Sequence, residues 1–393
     1  MPRFFHNFSN AMAGIYIHIP FCKSRCIYCG FYSTTRNELR QRYVDAVCKE
    51  MELRSDYLAS QQGKASISTI YLGGGTPSQL SADELRRLFI NINKVYDVSA
   101  DAEVTIECNP DDVTEELANE LESLPVNRVS MGVQTFSNER LRFLHRRHTA
   151  QQVSEAVSRL REAGISNISI DLIYGFPDET LADWHRDIDT ALMLDVEHLS
   201  AYSLMFEEGT PLYRLLEQGQ VKEIDEELSF QMYNDLTDRL TVAGYEHYEI
   251  SNFAKWTKDR KESFRSRHNS SYWNQTPYLG LGAAAHSYDG SSRQWNISDI
   301  TSYIEGIENV HPAFEIEYLN EDTRYNDLIL TSLRTAEGLC IDSLKPAFRS
   351  YLAEQAQTFL DNGQLVLTPA HYLRLTREGI YVSNMVMSQL MKV

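Results

Sequence analysis

Cys22-Lys-Ser-Arg-Cys26-Ile-Tyr-Cys29 puts three thiols on one short loop directly after an apolar run. Thiolates so spaced can take three corners of a cubane cluster and leave its fourth iron without a protein ligand, open to a small molecule. A structural zinc needs a fourth ligand and usually a second Cys-x-x-Cys pair at a distance. The spacing therefore favours a [4Fe–4S] cluster on Cys22, Cys26 and Cys29. Cys48 sits in a helical pattern, Cys108 points away from its neighbour Glu107 on an alternating strand, and Cys340 lies far along the chain. Those three read as buried or indifferent thiols. Six cysteines in 393 residues also make a poor disulfide framework.

A second set of polar residues stands at the ends of further apolar runs. Gly73-Gly74-Gly75-Thr76-Pro77 closes one of them; missing β-carbons there let a ligand's charged groups approach the backbone, although a tight turn explains a glycine run equally well. Glu107 in Glu-Cys-Asn-Pro and Asp171 in Ile-Asp-Leu-Ile-Tyr-Gly end two more, and Gln134 in Met-Gly-Val-Gln-Thr-Phe follows another. Polar residues after successive parallel strands build an active site on one rim of a barrel. Taken singly, Glu107 and Asp171 are explained as strand-end caps and Arg146 as a solvated helix charge. Beside the cysteine loop they read as one site.

The elements needed to bring these residues together are visible in the pattern. Strands are predicted at Gly14–Ile19, Ser68–Leu72, Glu103–Cys108, Arg128–Gly132, Asn167–Leu172 and Glu197–Ser203, with helices near 37–60, 81–96, 114–123, 138–163 (with a break) and 180–193 between them. Such alternation favours right-handed βαβ units, here a partial parallel (β/α)6 barrel. A helix at 225–243 and a strand at Tyr245–Ile250 follow, then a basic stretch around Lys255–Arg267 that reads as a loop or flap. The expected division is an extension or tag-like segment at 1–13, barrel and flap at 14–290, and a C-terminal module at 291–393. That module reads as three helices, a short pairing of Gln364–Leu367 with Tyr372–Leu375 and a final helix, a winged-helix-like arrangement.

Composition narrows the class. A hydrophobic fraction of 42% with 22 Tyr and 16 Phe excludes a disordered chain and supplies aromatic surface for a core or pocket. The net charge of −18 repels phosphate backbones and anionic lipid, so nucleic acid is not an expected partner and the winged-helix-like module reads as a packing domain. No run approaches the ~18 apolar residues of a membrane span, and no signal-peptide pattern opens the chain. The expected location is cytoplasmic.

The cysteine loop, with Tyr28 before its last thiol, resembles that of the radical S-adenosylmethionine (SAM) superfamily. The resemblance implies SAM on the open iron and, after one-electron reduction, its cleavage to methionine and a 5′-deoxyadenosyl radical, while the protein orients the cofactor and excludes water. It is closer to the oxygen-independent coproporphyrinogen-III oxidases and their relatives, from Ile15 onward, with Tyr16-Ile-His18-Ile-Pro20-Phe21 leading into the cysteines. This implies Tyr16 against SAM, Gly74, Gly75 and Thr76 at its methionine end, and Glu107 at its ribose or amino group. Gln134, Arg146 and Asp171 complete the implied pocket, with backbone at Met205 facing adenine. His18, on the same strand face as Tyr16, reads equally well as a hydrogen-bonded core histidine.

Two features depart from the oxidases: Phe31 stands where they carry a further cysteine, and their long N-terminal extension is missing. His268-Asn269-Ser270-Ser271-Tyr272-Trp273 instead matches the His-Asn-x-x-Tyr-Trp motif of the HemW-type heme chaperones. An imidazole can ligate iron while aromatic faces meet a macrocycle, and Arg260, Lys261, Arg265 and Arg267 can meet propionates. Without the family match, packing of the flap explains these aromatics better. The expected function is heme binding and delivery, without coproporphyrinogen oxidase activity. The expected partners are SAM, heme, heme-accepting apo-proteins (those of a respiratory chain among the candidates) and a second copy of the chain. An oxidase or other radical enzyme acting on a tetrapyrrole, and an iron–sulfur redox sensor, are the alternatives.

Overall fold

The computed structural model describes residues 12–60, 63–256 and 263–392; the tag-like reading of 1–13 falls almost wholly outside them. The predicted strands form as β1 (Met12–Ile19), β2 (Ser66–Gly74), β3 (Asp97–Cys108), β4 (Arg128–Gln134), β5 (Ile168–Tyr174) and β6 (His198–Ser203). Each pairs in parallel with the next. Alternation sorts their side chains: Ile15, Ile17 and Ile19 are fully buried in the core shared with the helices, whereas Tyr16 and His18 face the lumen.

Connecting helices α1 (Arg40–Leu53), α2 (Ala82–Val95), α3 (Glu115–Glu122), α4 (Asn138–Phe143), α5 (Ala150–Glu162) and α6 (Leu181–Met193) lie between the strands. Their starts are encoded locally; Ser81 with Glu84 and Thr180 with Asp183 form capping boxes. The break predicted within 138–163 falls where His145 adopts a left-handed φ of 59° and Thr149 caps α5. Arg146 sits in that break.

The sheet extends beyond the six strands. On the β6 side follow two antiparallel strands, β8 (Asn252–Lys255) and then β7 (Tyr245–Glu249). On the β1 side β9 (Tyr278–Leu281) adds in parallel, then β10 (His286–Tyr288), β11 (Ser292–Asn296) and β12 (Phe314–Tyr318) in antiparallel order. The sheet therefore passes residue 290, where the sequence places the end of the barrel body. These last strands are short and polar and lack the apolar runs that mark the first six. Helix α10 (Ile300–Glu308) packs on α1 and contributes Ile300, Tyr303, Ile304 and Ile307 to the barrel core. Lys255 lies in β8 and Arg267 opens a helix, so the predicted flap is narrower than 255–267; its residues 257–262 lie outside those described.

Helices α7 (Pro211–Glu217) and α8 (Glu226–Val242) follow β6, and α9 (Arg267–Trp273) precedes β9. A second core begins at Tyr325 and unites α11 (Glu321–Ser332), α12 (Pro346–Asp361) and α14 (Ser383–Leu390), the last preceded by the short α13 (Arg377–Tyr381), with the small sheet of β13 (Leu339–Cys340), β14 (Leu365–Leu367) and β15 (Tyr372–Leu375). Two long helices precede the hairpin where the sequence predicts three; the third is a 3-10 turn at Ile341–Ser343.

Candidate functional site

The cysteine loop is fixed at both ends. Cys22 N donates to Thr34 O at 2.9 Å and Thr34 N to Pro20 O at 2.7 Å. Ile27 sinks into a small apolar core with Leu144, Ile173, Phe176, Leu204 and Leu212, which lies at the ends of β5 and β6. Cys22, Cys26 and Cys29 are free and half-buried between these anchors. Burial raises the Cys22 and Cys29 thiols, the Thr76 hydroxyl lies 3.5 Å from Cys22 Sγ, and Arg146 Nη1 points at Cys26 Sγ from 3.6 Å. A nearby guanidinium offsets the negative charge that three thiolates bring to a cluster. No trio of His, Cys, Asp or Glu converges on one ion position among the described residues; the thiolates of a cubane each hold a different iron and need no common centre. The donor set fits a [4Fe–4S] cluster with one open iron.

The glycine run is required by its neighbours. Gly74 has φ +111°, and a Cβ there would lie 2.5 Å from the His18 ring; one on Gly75 would lie 2.7 Å from the Pro20 carbonyl carbon. The end of β2 thus presses on the end of β1, and Gly75 N donates to Ile19 O at 2.8 Å. Gly74 N then donates to Glu107 Oε2 (3.1 Å), and Tyr71 OH to Glu107 Oε1 (2.8 Å). Enclosure pushes the Glu107 carboxyl up to about 7, with Asp171 adding repulsion. Asp171, in register with Ser200 on β6, is raised to about 6 by the same desolvation, against the pull of the Ser200 hydroxyl and Arg128. Two enclosed carboxyls facing one space suit a cationic ligand.

Gln134 ends β4 with φ 69°, a strained setting for a residue with a side chain. Its amide lies beside the Arg146 guanidinium over Gly132, where a Cβ would meet Gln134 Nε2 at 2.8 Å and Arg146 Nη2 at 3.1 Å. Arg146 also donates to Asn109 Oδ1 at 2.7 Å. Tyr16 stacks on Tyr71 (centroids 6.1 Å) and lies 3.2 Å from His18 Nδ1, whose other nitrogen meets Tyr32 O at 2.9 Å. His18 is thereby the bonded core histidine. The rim therefore gathers the cysteines, Tyr16, Gly74, Gly75, Thr76, Glu107, Gln134, Arg146 and Asp171, with Met205 exposed just beyond β6. Tyr71 and Asn109 were not singled out from sequence: an aromatic on a strand reads as core, and an Asn before Pro reads as a turn.

The His-Asn-x-x-Tyr-Trp segment lies elsewhere than a surface grip requires. It forms α9, whose His268 is 1% exposed inside the lumen. His268 Nδ1 bonds Thr69 Oγ1 and Nε2 bonds Tyr272 OH, both at 2.8 Å, and the ring stacks on Tyr71 at 5.0 Å. Burial, with the Arg128 charge, pushes its pKa down to about 3, so the imidazole is neutral with both nitrogens engaged. Arg265 is paired with Glu246 and Glu337 and is no spare cation for a propionate, whereas Arg267 donates to Asp101 O and has the Asp101 carboxylate 4.0 Å away. Arg260 and Lys261 lie outside the described residues. Trp273 faces the C-terminal module, with Arg334 5.1 Å over its ring. The flap reading is corrected accordingly: the motif closes the lumen because its His and Tyr find partners there.

Comparison with known proteins agrees with this geometry. Residues 16–191 match the radical SAM superfamily. The chain is 34% identical over 370 residues to the heme chaperone HemW of Bacillus subtilis (strain 168), covering 91% of this chain and 95% of that one. It is 33% identical to the heme chaperone HemW of Lactococcus lactis, with 94% of each covered. The structure of the coproporphyrinogen III oxidase HemN from Escherichia coli superposes with a TM-score of 0.82 at 21% identity, over 98% of this chain and 90% of that one. That last likeness is one of fold.

Proposed function

Because the chain belongs to the HemW family within the radical SAM superfamily, we propose that it is a heme chaperone. It binds heme and passes it to proteins that require it. Cys22, Cys26 and Cys29 hold a [4Fe–4S] cluster. Tyr16, Gly74, Gly75, Thr76, Glu107, Gln134, Arg146, Asp171 and the backbone at Met205 hold SAM. When bound, cluster and SAM supply one-electron chemistry. The chain's own contribution is electrostatic and steric: Glu107 and Asp171 offer negative charge to a cationic ligand, Arg146 balances the thiolates, and the core around Ile27 keeps water from beneath the loop.

The observation that carries the heme reading is the aromatic wall that leads from rim to motif. Tyr16, Tyr71 and His268 stack in sequence, and Tyr71 in turn holds Glu107, which supports a reading in which a flat macrocycle and SAM meet in one lumen. Phe31, in place of the oxidases' further cysteine, is 70% exposed and offers no ligand. Heme is cargo here, and His268 serves as its iron ligand once the imidazole gives up its bonds to Thr69 and Tyr272. Heme-requiring apo-proteins, respiratory ones included, and a second copy of the chain are the proposed partners. The cytoplasm is the proposed location, supported by the free cysteines. Among the described residues no helix is long and apolar enough to cross a membrane.

Anaerobically reconstituted protein tests this directly. It is expected to bind heme in near-stoichiometric amount and to leave coproporphyrinogen III unconverted. Efficient turnover of that substrate without heme binding reverses the choice in favour of an oxidase.

A further inference from the structure

One cation in the lumen and the hydroxyl across from it lack the hydrogen-bond partners that the histidines and serines around them have found. Arg128 opens β4, and alternation turns it inward with Ser130, Gly132 and Gln134, while Val129, Met131 and Val133 join the outer core. It is 1% exposed, Nε has no acceptor, and among the described residues its guanidinium forms no ion pair. Directly across the strand pair lies Thr105, fully buried, whose Oγ1 is likewise unpartnered. By contrast, His198 bonds Ser169 (2.7 Å) and Tyr248 (2.8 Å), and Ser200 bonds Asn252 (2.9 Å). A guanidinium cannot shed its proton to escape burial, so its unmade hydrogen bonds are a standing cost unless a ligand makes them.

We propose that Arg128, with Thr105 beside it, is an anion receptor in the barrel lumen that takes the carboxylate arm of a ligand entering from the cysteine rim. The inference rests on the heme reading in one respect: the propionates of heme are the carboxylates in question. A planar fork of N–H donors matches a carboxylate in two-point contact, and an adjacent hydroxyl supplies a third donor. His198 and His268 are both held neutral, by burial and by the Arg128 charge itself, and do not compete as cations. Glu107 and Asp171 face the same space and feel the Arg128 charge across it, and the positive charge of bound SAM offsets theirs against an incoming carboxylate. Arg128 is not among the residues assigned to the cluster or to SAM, so the site adds a contact for cargo to those for the cofactors.

The experiment compares heme with heme dimethyl ester, whose propionates carry no charge, by absorbance titration of the reconstituted full chain. Wild type is expected to prefer heme by about tenfold, the scale of one charge-assisted contact. Arg128→Met is expected to bring the ratio to about one and Thr105→Val to lower it a few-fold, with iron content unchanged. Arg128→Lys keeps the charge without the fork and is expected to fall between; it carries the comparison if Arg128→Met does not retain its cluster. A wild type that binds both forms alike, or an iron-loaded Arg128 variant that keeps the full preference, overturns the proposal. If wild type binds neither form, the chaperone reading fails and a second arm decides. In that arm, sodium propionate at the ionic strength of a chloride control either raises the melting temperature of wild type and not of the variant, which supports the receptor, or raises neither, which overturns it.

Discussion

Glu107 near the end of β3, Asp171 midway along β5 and Arg146 in the break between α4 and α5 are partly open to the lumen and bonded to backbone or to residues of neighbouring strands and loops. Deeper in the lumen, Thr69 on β2, Ser169 on β5, His198 on β6 and His268 on α9 are sealed and bonded in the pairs Thr69–His268 and Ser169–His198. Both regions are polar and both lie within one barrel. The rim leaves its charges spare capacity, which is what a ligand needs; the floor spends its capacity on itself, which rigidifies the lumen. Arg128 and Thr105 are the floor residues that break this rule.

The largest effect expected from this contrast is at the rim. Replacing Cys22, Cys26 or Cys29 with Ala is expected to take reconstituted protein from about four irons to nearly none, measured by iron analysis. Ala at Cys48, Cys108 or Cys340 is expected to leave iron in place, and iron loss from those variants instead would move the cluster. Gly75→Ala comes next. Its Cβ would meet the Pro20 carbonyl carbon at 2.7 Å, a backbone group that cannot turn aside, so the β1–β2 rim has to shift. SAM is expected to bind at least about tenfold more weakly, a displacement of charged contacts by an ångström being enough for that. A normal EPR response of the reduced cluster to SAM would show that the glycine run is only a turn.

A smaller effect is expected from pH. Glu107 and Asp171 are raised to about 7 and about 6, so both become fully charged only above neutrality, and affinity for cationic SAM is expected to climb from pH 5.5 to 8. Glu107→Gln should flatten the upper part of that rise; a flat wild-type profile would place SAM's positive charge elsewhere. Stability of the ligand-free protein runs the other way. A carboxyl whose folded pKa lies above its unfolded value contributes stability below the unfolded pKa, and that contribution is lost as pH rises through the folded value. The SAM-free protein is therefore expected to lose part of its stability between about pH 4 and pH 7, and SAM to offset the loss.

Much of the rim was legible in the sequence. Glu107, Gln134 and the glycine run sit at the ends of apolar, β-branched runs, positions that pattern alone can place, whereas Asp171, expected at a strand end, falls midway along β5, which runs on to Tyr174. Legibility stopped where partners are distant in the chain. His268 reads as a surface ligand because nothing local reveals Thr69, 199 positions away, as its partner. Arg128 at the start of a predicted strand carries no local signal of burial, since only closure of the sheet around it removes the water. The strands beyond residue 290 were missed for a different reason: Ser292–Asn296 is polar, and its place in the sheet is set by pairing with its neighbours.

The smallest expected effect tests whether the floor can open to cargo. His268→Ala is a blunt probe, since it leaves the Thr69 and Tyr272 hydroxyls unpaired and a space against Tyr71, at a combined cost of about 2–4 kcal/mol even without heme. Tyr272→Phe is sharper. It removes the single 2.8 Å bond to His268 Nε2, costs about 1 kcal/mol, and leaves the imidazole held through Nδ1 to Thr69. If Nε2 is the atom that meets heme iron, its release from Tyr272 no longer competes with ligation, and heme is expected to associate a few-fold faster, with a histidine-ligated absorbance spectrum. If His268 only seals the floor, the association rate and spectrum stay as in wild type while the melting temperature falls by a few degrees. That second pattern would make His268 wholly structural and shift the iron ligand to another residue.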